Sequence, residues 1–396
     1  MANILFLAHR IPYPPNKGDK IRSWNFLSRL AKEHTVHAGF FVDDPRDMRY
    51  IDDIENCTAS LCYEKISPIA QKLLSLRAFL TGKSLTEMAY PYRKLRRYAK
   101  SLTADGKLDA VFVFSAAAAP IAFELNDVPI ICDLVDVDSE KWKSYGEKAS
   151  WPFSWLYARE AEKLRAFETK LASRSKACLL VSEQEAALFR SLNPLHSAII
   201  KAIPNGVDIH QFNPALYKAK PSADHILFSG AMDYQPNIDA VVWFCKKVLP
   251  AVQVKHPNVE FVIAGGPTPA AVARLAQLPG VSVLGYVGDM AEVIATATLC
   301  IAPLQIARGI QNKVLEAMAM AKPVVATSLA NEGIDAEHER DLLVADTPTD
   351  FALAVDKLLS APDTSSEIGD RARDYVSQKF SWDQSFRILN TLIVNA

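Results

Sequence analysis

Residues 307–326 read ARGIQNKVLEAMAMAKPVVA and contain a loop, an amphipathic helix and a short apolar strand. Three apolar residues recur at i, i+4 and i+8 and form one face of that helix: Ile310, Val314 and Met318. Lys313 and Glu316 fall on another face. An apolar strand at 299–303 precedes the loop, so the segment completes a strand–loop–helix–strand unit, which is typical of a parallel α/β sheet.

The same alternation of apolar strands and helical patterns extends along both halves of the chain. In the first half the predicted strands are residues 4–8, 35–41, 110–114, 129–133 and 177–181, with a helix at 20–32. In the second half they are residues 225–228, 259–264, 281–284, 299–303 and 323–326. Strands separated by helices form parallel sheets, whose ligands bind at the carboxyl ends of the strands. We therefore predict an α/β protein with two Rossmann-like domains.

The boundary between the two domains is expected in a stretch that is rich in Pro and Asn. Residues 203–224 are weakly periodic and contain three prolines, which indicates a connection. The predicted segments are an N-terminal domain at 1–203, a connection at 204–224, a C-terminal domain at 225–375 and a terminal helix at 376–396.

Composition excludes several classes of protein. The chain has 396 residues, with 44 Lys plus Arg against 45 Asp plus Glu, so neither a disordered chain nor a uniformly basic nucleic-acid binder is expected. The six cysteines are scattered and the eight histidines lack metal spacing, which predicts free thiols and no metal site. The first strand lacks a signal-peptide pattern, and the longest uncharged runs, of about 15 residues, are too short to span a bilayer. We expect a cytoplasmic protein.

The helix at 307–326 has features of an anion site. Gly309 lets the backbone approach a ligand closely, and Arg308 and Lys313 add positive charge beside the helix start. The free amides that favour a diphosphate belong to Ile310, Gln311 and Asn312. Glu316 could accept hydrogen bonds from the vicinal hydroxyls of a sugar. The alternative is a plain amphipathic helix in which Lys313 and Glu316 pair with each other.

The loop after the first strand carries a second set of candidates. Gly18 permits a close backbone contact just before a helix, and Lys17 and Asp19 flank it. His9 stands at the end of the strand and shares this loop region. Arg22 could face a phosphate of an acceptor, that is, of a second substrate that receives a transferred group, or it could face water. A strand–helix turn that contains glycine is common, so by itself this pattern is weak.

Four acidic residues follow the strand at 129–133, at the carboxyl edge of the predicted sheet: Asp133, Asp136, Asp138 and Glu140. Carboxylates in this position could orient an acceptor hydroxyl, stabilise positive charge at an anomeric carbon or hold magnesium. A solvated loop with helix-capping aspartates is the alternative. Asp136 is the preferred acceptor-side residue.

Several motifs resemble one known family. Glu316, Ala317, Met318, Ala319 and the run KPVV at 322–325 resemble the donor-binding motif of glycosyltransferase family 4. The strings IPNGVD at 203–208 and VSVLGYVGD at 281–289 resemble further signatures of that family. Four longer strings are similar to the PEP-CTERM/exosortase-associated sugar transferases: NILFLAHRIPYPPNKGDKIRSWNFL, DLVDVDSEKW, GAMDYQPNIDAVVWF and ARGIQNKVLEAMAM.

The resemblance implies a GT-B fold, in which two Rossmann-like domains face each other across a cleft and a C-terminal helix crosses back to the first domain. It implies a retaining glycosyltransferase that takes a nucleotide-sugar donor and needs no metal. Under this interpretation Gly18, Gly230 and residues 309–312 and 316 bind the donor, whereas His9, Lys17 and Asp19 lie on the acceptor side.

Two departures from the family pattern affect the expected chemistry. The family has a glutamate eight positions before the one matched by Glu316, and this chain has Arg308 there. The family also carries an Arg and a Lys in the loop that here reads GAMDYQPN at 230–237 and contains no cation. Since the leaving phosphates still need positive charge, we expect Arg308 and Lys313 to supply it.

The predicted activity is transfer of a sugar to a polyprenyl-linked or oligosaccharide acceptor in exopolysaccharide synthesis. Two alternatives remain open. A sugar-nucleotide 2-epimerase shares the two-domain architecture but needs converging acid and base groups that the sequence does not show. A noncatalytic nucleotide-sugar-binding protein is consistent with the missing first glutamate.

Charge is distributed unevenly along the first domain. Residues 71–107 contain nine cations and two anions, a local charge of +7, which leaves −8 on the remainder. Eight large apolar or tyrosine side chains lie among them: Leu73, Leu74, Leu76, Phe79, Leu80, Tyr90, Tyr92 and Tyr98. Such a mixture predicts a peripheral contact with the anionic inner face of the plasma membrane. An ordinary solvated helical hairpin is the alternative.

Overall fold

The computed structural model describes residues 1–15, 17–104, 106, 108–217, 224–307 and 309–395. The chain divides into two units, the first formed by Met1–Ile203 with Phe386–Ala396 and the second by Pro204–Ser385. Among the described residues, no helix combines the length and the apolar composition that crossing a bilayer requires.

The first unit contains a seven-stranded parallel sheet with the strand order β3–β2–β1–β4–β5–β6–β7. Its strands are β1 (Asn3–Ala8), β2 (Thr35–Val42), β3 (Ser60–Lys65), β4 (Ala110–Phe114), β5 (Ile130–Val135), β6 (Ala177–Leu180) and β7 (Ile200–Ala202). The central strands read as continuous apolar runs because helices cover both faces of a parallel sheet. The strand order reverses between β1 and β4, and the carboxyl ends of these two strands therefore border the crevice where doubly wound sheets bind ligands.

Helices connect these strands. They are α1 (Gly18–Glu33), α2 (Ile51–Glu55), α3 (Pro68–Ser75), α4 (Arg77–Thr81), α5 (Leu85–Met88), α6 (Arg93–Ala104), α7 (Ala119–Ala122), α8 (Asp138–Lys148), α9 (Phe153–Arg174) and α10 (Glu183–Leu192). Short 3-10 turns occur at Pro45–Tyr50, Ala116–Ala118 and Pro194–Ile199.

The second unit contains a six-stranded parallel sheet with the strand order β10–β9–β8–β11–β12–β13. Its strands are β8 (His225–Ser229), β9 (Glu260–Ala264), β10 (Val281–Gly285), β11 (Leu299–Ala302), β12 (Val324–Ala326) and β13 (Leu343–Val344). Its helices are α11 (Gln235–Trp243), α12 (Leu249–Lys255), α13 (Ala270–Ala273), α14 (Met290–Thr296), α15 (Asn312–Ala319), α16 (Ser328–Asn331), α17 (Pro348–Ser360) and α18 (Pro362–Lys379). The last helix, α19 (Trp382–Val394), begins in the second unit and ends in the first.

The predicted α/β fold with two parallel-sheet, Rossmann-like domains is confirmed. Every predicted strand is present with its ends shifted by two residues at most, whereas β3, β7 and β13 were not predicted. Each of these three lies at the edge of its sheet, and β7 and β13 have only three and two residues. Strands at the edge of a sheet are partly exposed to solvent. Short edge strands therefore contain too few apolar residues to be recognised from the sequence.

Two predicted segment bounds differ from the structure. Residues 204–217, expected in a connection, belong to the second unit: the Val207 amide donates to the Phe380 carbonyl (2.9 Å) and the Ser385 hydroxyl to the Pro204 carbonyl (2.7 Å). A terminal helix was expected from 376, but α18 ends at Lys379 and α19 begins at Trp382. The helix is interrupted because the Phe380 carbonyl accepts a hydrogen bond from the Val207 amide. In a continuous helix that carbonyl would accept from an amide of the next helical turn instead.

Candidate functional site

In the second unit three elements converge on the ammonium group of Lys313. Lys313 lies in the first turn of α15, and its Nζ donates a hydrogen bond of 2.5 Å to Oδ1 of Asn237 in α11. The same Nζ lies 4.7 Å from the ring centroid of Phe228 in β8, a cation–π contact. No described carboxylate forms an ion pair with Lys313. Since neither the amide oxygen nor the aromatic ring carries a counter-charge, the ammonium form of Lys313 can bind an anion.

Gly230 makes room for this arrangement. A Cβ atom at Gly230 would lie 2.9 Å from Nδ2 of Asn237 and 3.2 Å from Cε of Lys313. A Cβ at Gly265, which follows β9, would lie 2.0 Å from the Gly230 carbonyl oxygen. The glycines at the ends of β8 and β9 therefore let two loops pack against each other beside Lys313. The predicted direct contact of Gly230 with a donor remains a prediction.

The residues before and at the start of α15 are those where the sequence predicts a diphosphate. Gly309 has a φ of +62°, a left-handed conformation that favours glycine, and Ile310 behind it is buried. Gln311 occupies the N-cap position without a side-chain hydrogen bond to the first turn, and Asn312 accepts a hydrogen bond of 3.0 Å from Nδ2 of Asn205. Arg308 lies outside the described residues.

Burial changes the protonation of both charged residues of α15. It lowers the pKa of Lys313 to about 7, although the neighbouring Glu316 opposes this change. Burial also raises the pKa of Glu316 to about 7, and Lys313 opposes that change in turn. Glu316 has no hydrogen-bonding partner among the described residues. Lys313 and Glu316 therefore do not form the ion pair that the alternative interpretation of this helix predicts.

Lys322, which belongs to the matched KPVV run, has a structural role. Its Nζ donates to the carbonyls of Ala295 (2.8 Å) and Ala297 (2.7 Å), where the chain passes from α14 to β11. At the end of α15, Arg373 donates to the carbonyls of Ala319 and Phe212. These two cations satisfy carbonyls at helix ends and thereby fix α14 and α15 against neighbouring elements.

In the first unit, the carboxyl end of β1 meets the start of α1. Asp19 accepts a hydrogen bond of 2.9 Å from Arg10 and lies 3.6 Å from Nε2 of His9. Burial favours a higher pKa for Asp19, but the hydrogen bond from His9 and the charge of Arg10 lower it well below its usual range. Asp19 therefore stays ionised and orients His9. Lys17 and Gly18 lie where α1 begins.

The four acidic residues after β5 separate into different environments. Asp133 is fully buried and accepts a bidentate pair of hydrogen bonds from the equally buried Arg22, at 2.7 and 3.2 Å. Arg22 also donates to the carbonyl of Ile203, so it faces neither an acceptor phosphate nor water as the sequence suggested. Glu140 forms an ion pair with Arg165 at 2.8 Å. These residues are occupied by structural contacts.

Asp136 differs from its neighbours because its buried Oδ1 has no hydrogen-bonding partner. Burial raises the pKa of Asp136 to about 7, and the charges of Glu185 and Asp138 add to this shift. The buried Nδ1 of His9, whose ring packs 6.0 Å from that of Phe114 in β4, also lacks a partner. Buried polar atoms are rarely left unpaired, so these two atoms mark a place for a ligand at the carboxyl edge of the first sheet.

The structure thus brings the predicted residues together in two places, and it adds residues that the sequence reasoning missed. Asn237 and Phe228 hold Lys313, and Asn205 holds Asn312. Asn205 lies in the IPNGVD string and Asn237 in the GAMDYQPN loop, both of which were singled out by resemblance but without a role for these side chains, whereas Phe228 lies in no such motif. No group of three or more His, Cys, Asp or Glu residues suited to a metal ion occurs in the described part of the chain.

Part of the second unit is similar to a known protein family. The family model for glycosyl transferases group 1 matches residues 223–361. A Xenopus tropicalis relative named glycosyltransferase 1 domain-containing protein 1 is 26% identical over 148 residues, which cover 36% of this chain and 43% of the relative. The match therefore spans less than half the length of that curated protein.

Solved structures match the whole fold. The Anabaena protein HepE, solved in complex with UDP-glucose, aligns with a TM-score of 0.71 at 15% identity, covering 100% of both chains. Sucrose-phosphate synthase from Thermosynechococcus elongatus aligns with a TM-score of 0.72 at 16% identity, covering 100% of this chain and 99% of the other. These structures confirm the predicted fold, and the family model over residues 223–361 supports the predicted enzyme class, a glycosyltransferase. Residues 223–361 thus match the family model for glycosyl transferases group 1, in a chain whose two parallel-sheet domains have the fold of these solved structures.

Proposed function

We propose that this protein is a retaining glycosyltransferase that moves a sugar from a nucleotide-sugar to a lipid-linked precursor of an exopolysaccharide. The observation that carries the proposal is the Lys313 ammonium, held by the neutral groups of Asn237 and Phe228 at the start of α15. Burying part of a cation without an ion-pair partner destabilises the protein. Such an arrangement is favourable when an anion completes it, as a donor diphosphate does.

The same groups suit the departure of a nucleoside diphosphate. Negative charge develops on the phosphate oxygens as the bond to the anomeric carbon breaks, and a preorganised cation beside helix amides stabilises that charge. Lys313 and the first-turn amides of α15 serve this purpose, and we expect Arg308 to add to it. Each preorganised donor of this kind contributes about 2 to 4 kcal/mol to transition-state stabilisation.

Glu316 binds the sugar of the donor. It follows Lys313 by three positions on α15 and has no partner among the described residues, so its carboxyl oxygens remain available to sugar hydroxyls. Glu316 contributes as a hydrogen-bond acceptor and is not itself the nucleophile.

Asp136 acts on the acceptor. Its unpartnered Oδ1 accepts a hydrogen bond from the acceptor hydroxyl and thereby orients it, and His9, whose ring is fixed by Asp19, lies at the same edge of the sheet. With a pKa of about 7, Asp136 is ionised in a substantial fraction of molecules at neutral pH. Lys17 and Gly18, at the start of α1, are further candidates for contacts with the acceptor.

The exopolysaccharide role, the polyprenyl-linked acceptor and the action at the cytoplasmic face of the membrane follow from the resemblance to PEP-CTERM/exosortase-associated sugar transferases. A noncatalytic nucleotide-sugar-binding protein is the second candidate, because Arg308 replaces the first glutamate of the family motif. A 2-epimerase is disfavoured, since the described side chains around Lys313 and Glu316 include no converging acid and base pair.

The decisive experiment has two stages. Thermal shift across UDP, GDP, ADP and dTDP sugars identifies a donor, because a bound ligand raises the midpoint of unfolding. The donor is then incubated with a polyprenyl-phosphate-sugar acceptor and the products are separated. Transfer of the sugar supports the proposal, an isomerised donor indicates an epimerase, and binding without turnover indicates a binding protein.

A further inference from the structure

Large apolar side chains are concentrated on one part of the first unit. Two segments, 69–80 and 151–155, present eight such side chains, each at least 42% exposed: Ile69, Leu73, Leu76, Phe79, Leu80, Trp151, Phe153 and Trp155. We call these eight residues the apolar surface. The two segments are short, yet they hold eight of the twenty exposed large apolar residues in the described part of the chain. A concentration of this kind marks an interaction site.

The two segments contact each other through α4 and α9. The rings of Phe79 and Trp155 are stacked with their centroids 6.2 Å apart. The guanidinium of Arg159 lies 4.7 Å from the Phe79 ring centroid and donates to the carbonyl of Ala78 at 2.8 Å. These contacts join α4 to the first turns of α9 and hold the exposed rings in place.

A buried carboxylate fixes the adjoining helix as well. Glu160 of α9 is fully buried and accepts hydrogen bonds from the amides of Leu85 (2.6 Å) and Thr86 (3.0 Å) at the start of α5. The apolar surface is therefore built on anchored helices. Binding to a mobile surface costs conformational entropy, because its side chains must be ordered. A surface whose side chains are already held in place avoids part of this cost and therefore binds more tightly.

The charges within the two segments of the apolar surface have one sign. Residues 66–83 contain no Asp or Glu but three cations, namely Lys72, Arg77 and Lys83, and residues 151–155 carry no charge. Lys83 pairs with Glu87 at 2.6 Å, whereas Lys72 and Arg77 are exposed and form no ion pair with a described residue. Apolar and aromatic side chains with cations at their margin match the boundary of a bilayer that contains anionic lipids.

The apolar surface differs from the membrane contact that the sequence predicts at residues 71–107. In the second half of that range Tyr92 and Leu95 lie in the core, at 5% and 0% exposure. Arg96 and Lys100 of α6 form ion pairs with Glu124 at 3.0 and 2.8 Å. The basic helix α6 is thus packed against its own unit, and the apolar surface is supplied instead by α3, α4 and the start of α9.

The apolar surface projects beyond the carboxyl edge of the first sheet. Helix α9 has 22 residues, a length of about 33 Å, and ends just before the amino end of β6. The neighbouring β5 has six residues and spans about 20 Å. Since α9 runs antiparallel to the strands, its first turns extend roughly 10 Å past the edge that carries His9 and Asp136.

We propose that the apolar surface docks onto a bilayer containing anionic lipids and so brings a membrane-embedded acceptor to the carboxyl edge of the first sheet. The role of the acceptor rests on the proposed function, whereas lipid binding itself does not. Docking inserts the side chains of Leu80, Trp151 and Trp155 at the level of the lipid headgroups. Lys72 and Arg77 contact the lipid phosphates.

The test is co-sedimentation of the full chain, without nucleotide, with vesicles of phosphatidylcholine alone or mixed with phosphatidylglycerol. We expect binding to the mixed vesicles that weakens with salt. Trp151→Ala with Trp155→Ala should lower the partition coefficient at least about tenfold, since both substitutions remove a large apolar side chain that docking buries. Lys72→Glu with Arg77→Glu should abolish the preference for anionic lipid.

Leu80 and Leu195 provide a matched pair, because they are 91% and 92% exposed and only Leu80 belongs to the apolar surface. Leu80→Ala should weaken vesicle binding and Leu195→Ala should not. Equal effects of the two substitutions, or equal binding to both kinds of vesicle, would overturn the proposal. A dimer in size-exclusion chromatography that the tryptophan substitutions dissociate would also overturn it, since a second copy would then cover the surface. Donor binding, measured separately by thermal shift, is expected to be normal in every variant.

Discussion

Replacing Lys313 with Met removes the one described cation at the proposed diphosphate site and keeps most of the side chain's volume. A hydrogen bond between charged groups contributes about 1.5 to 3 kcal/mol to binding. We therefore expect the Kd for the nucleoside diphosphate to rise about tenfold to 150-fold. Isothermal titration calorimetry of the wild type and the variant measures this change, and Lys246→Met, at an exposed lysine of the same unit, is the control.

The pH dependence of binding tests the assignment independently. Burial lowers the pKa of Lys313 to about 7 in the free protein, and a bound diphosphate stabilises the ammonium form and so raises this pKa again. Binding above pH 7 must therefore take up a proton. The affinity should fall by up to about tenfold for each pH unit above 7, until the pKa of the complex is reached.

The same pKa shift has a consequence for the stability of the free protein. Because the pKa of Lys313 is lower in the folded than in the unfolded state, the unfolded state binds more protons between about pH 7 and 10, and this residue destabilises the fold at neutral pH. Lys313→Met should thus raise the unfolding midpoint at pH 7 while reducing the shift caused by the diphosphate. A lower midpoint together with unchanged, pH-independent affinity would refute the reasoning.

Three further predictions concern the other residues of the two sites. Glu316→Gln should leave the Kd for the free nucleoside diphosphate unchanged and weaken binding of the nucleotide-sugar, as calorimetry with both ligands would reveal; equal effects on both would contradict a role in sugar binding. Asp136→Asn should lower kcat without changing donor affinity and should remove the loss of activity below about pH 7, because burial raises the pKa of Asp136 to about 7 and the charged carboxylate is a stronger acceptor for the acceptor hydroxyl than a neutral carboxyl or amide oxygen; a pH–rate profile that keeps its acidic limb would exclude this role. Arg22→Ala should leave Asp133 buried without its partner and cost about 3 to 5 kcal/mol of the free energy of unfolding, measured by urea denaturation, and a loss below about 1 kcal/mol would show that the pair is not structural.

The alternation of apolar runs and helical patterns was enough to predict both parallel sheets, because buried parallel strands are apolar throughout. The edge strand β3 was missed, since its residues are only half buried. Lys313 and Glu316 were also identified from sequence, because they lie three positions apart on one helix and local periodicity fixes such a relation.

Contacts between residues that are far apart in the chain could not be predicted from the sequence. Asn237 and Phe228 lie far from Lys313 along the chain, and nothing in their own segments indicates that they hold it. Among four similar acidic residues, only packing shows that Asp133 is paired with Arg22 while Asp136 keeps an unpartnered oxygen. The cationic segment 71–107 likewise includes buried and exposed residues that hydropathy does not distinguish.

The sequence by itself determined the α/β class, the strand positions and the helix that carries Lys313 and Glu316, since these depend on periodicity and on neighbours within a few residues. Only the tertiary structure decided which charges are neutralised, which polar atoms lack partners and which apolar side chains face outward. Those properties depend on burial and on contacts between residues distant in the chain. They also determine pKa values and binding surfaces, which is why the chemistry of this protein is assigned from its fold.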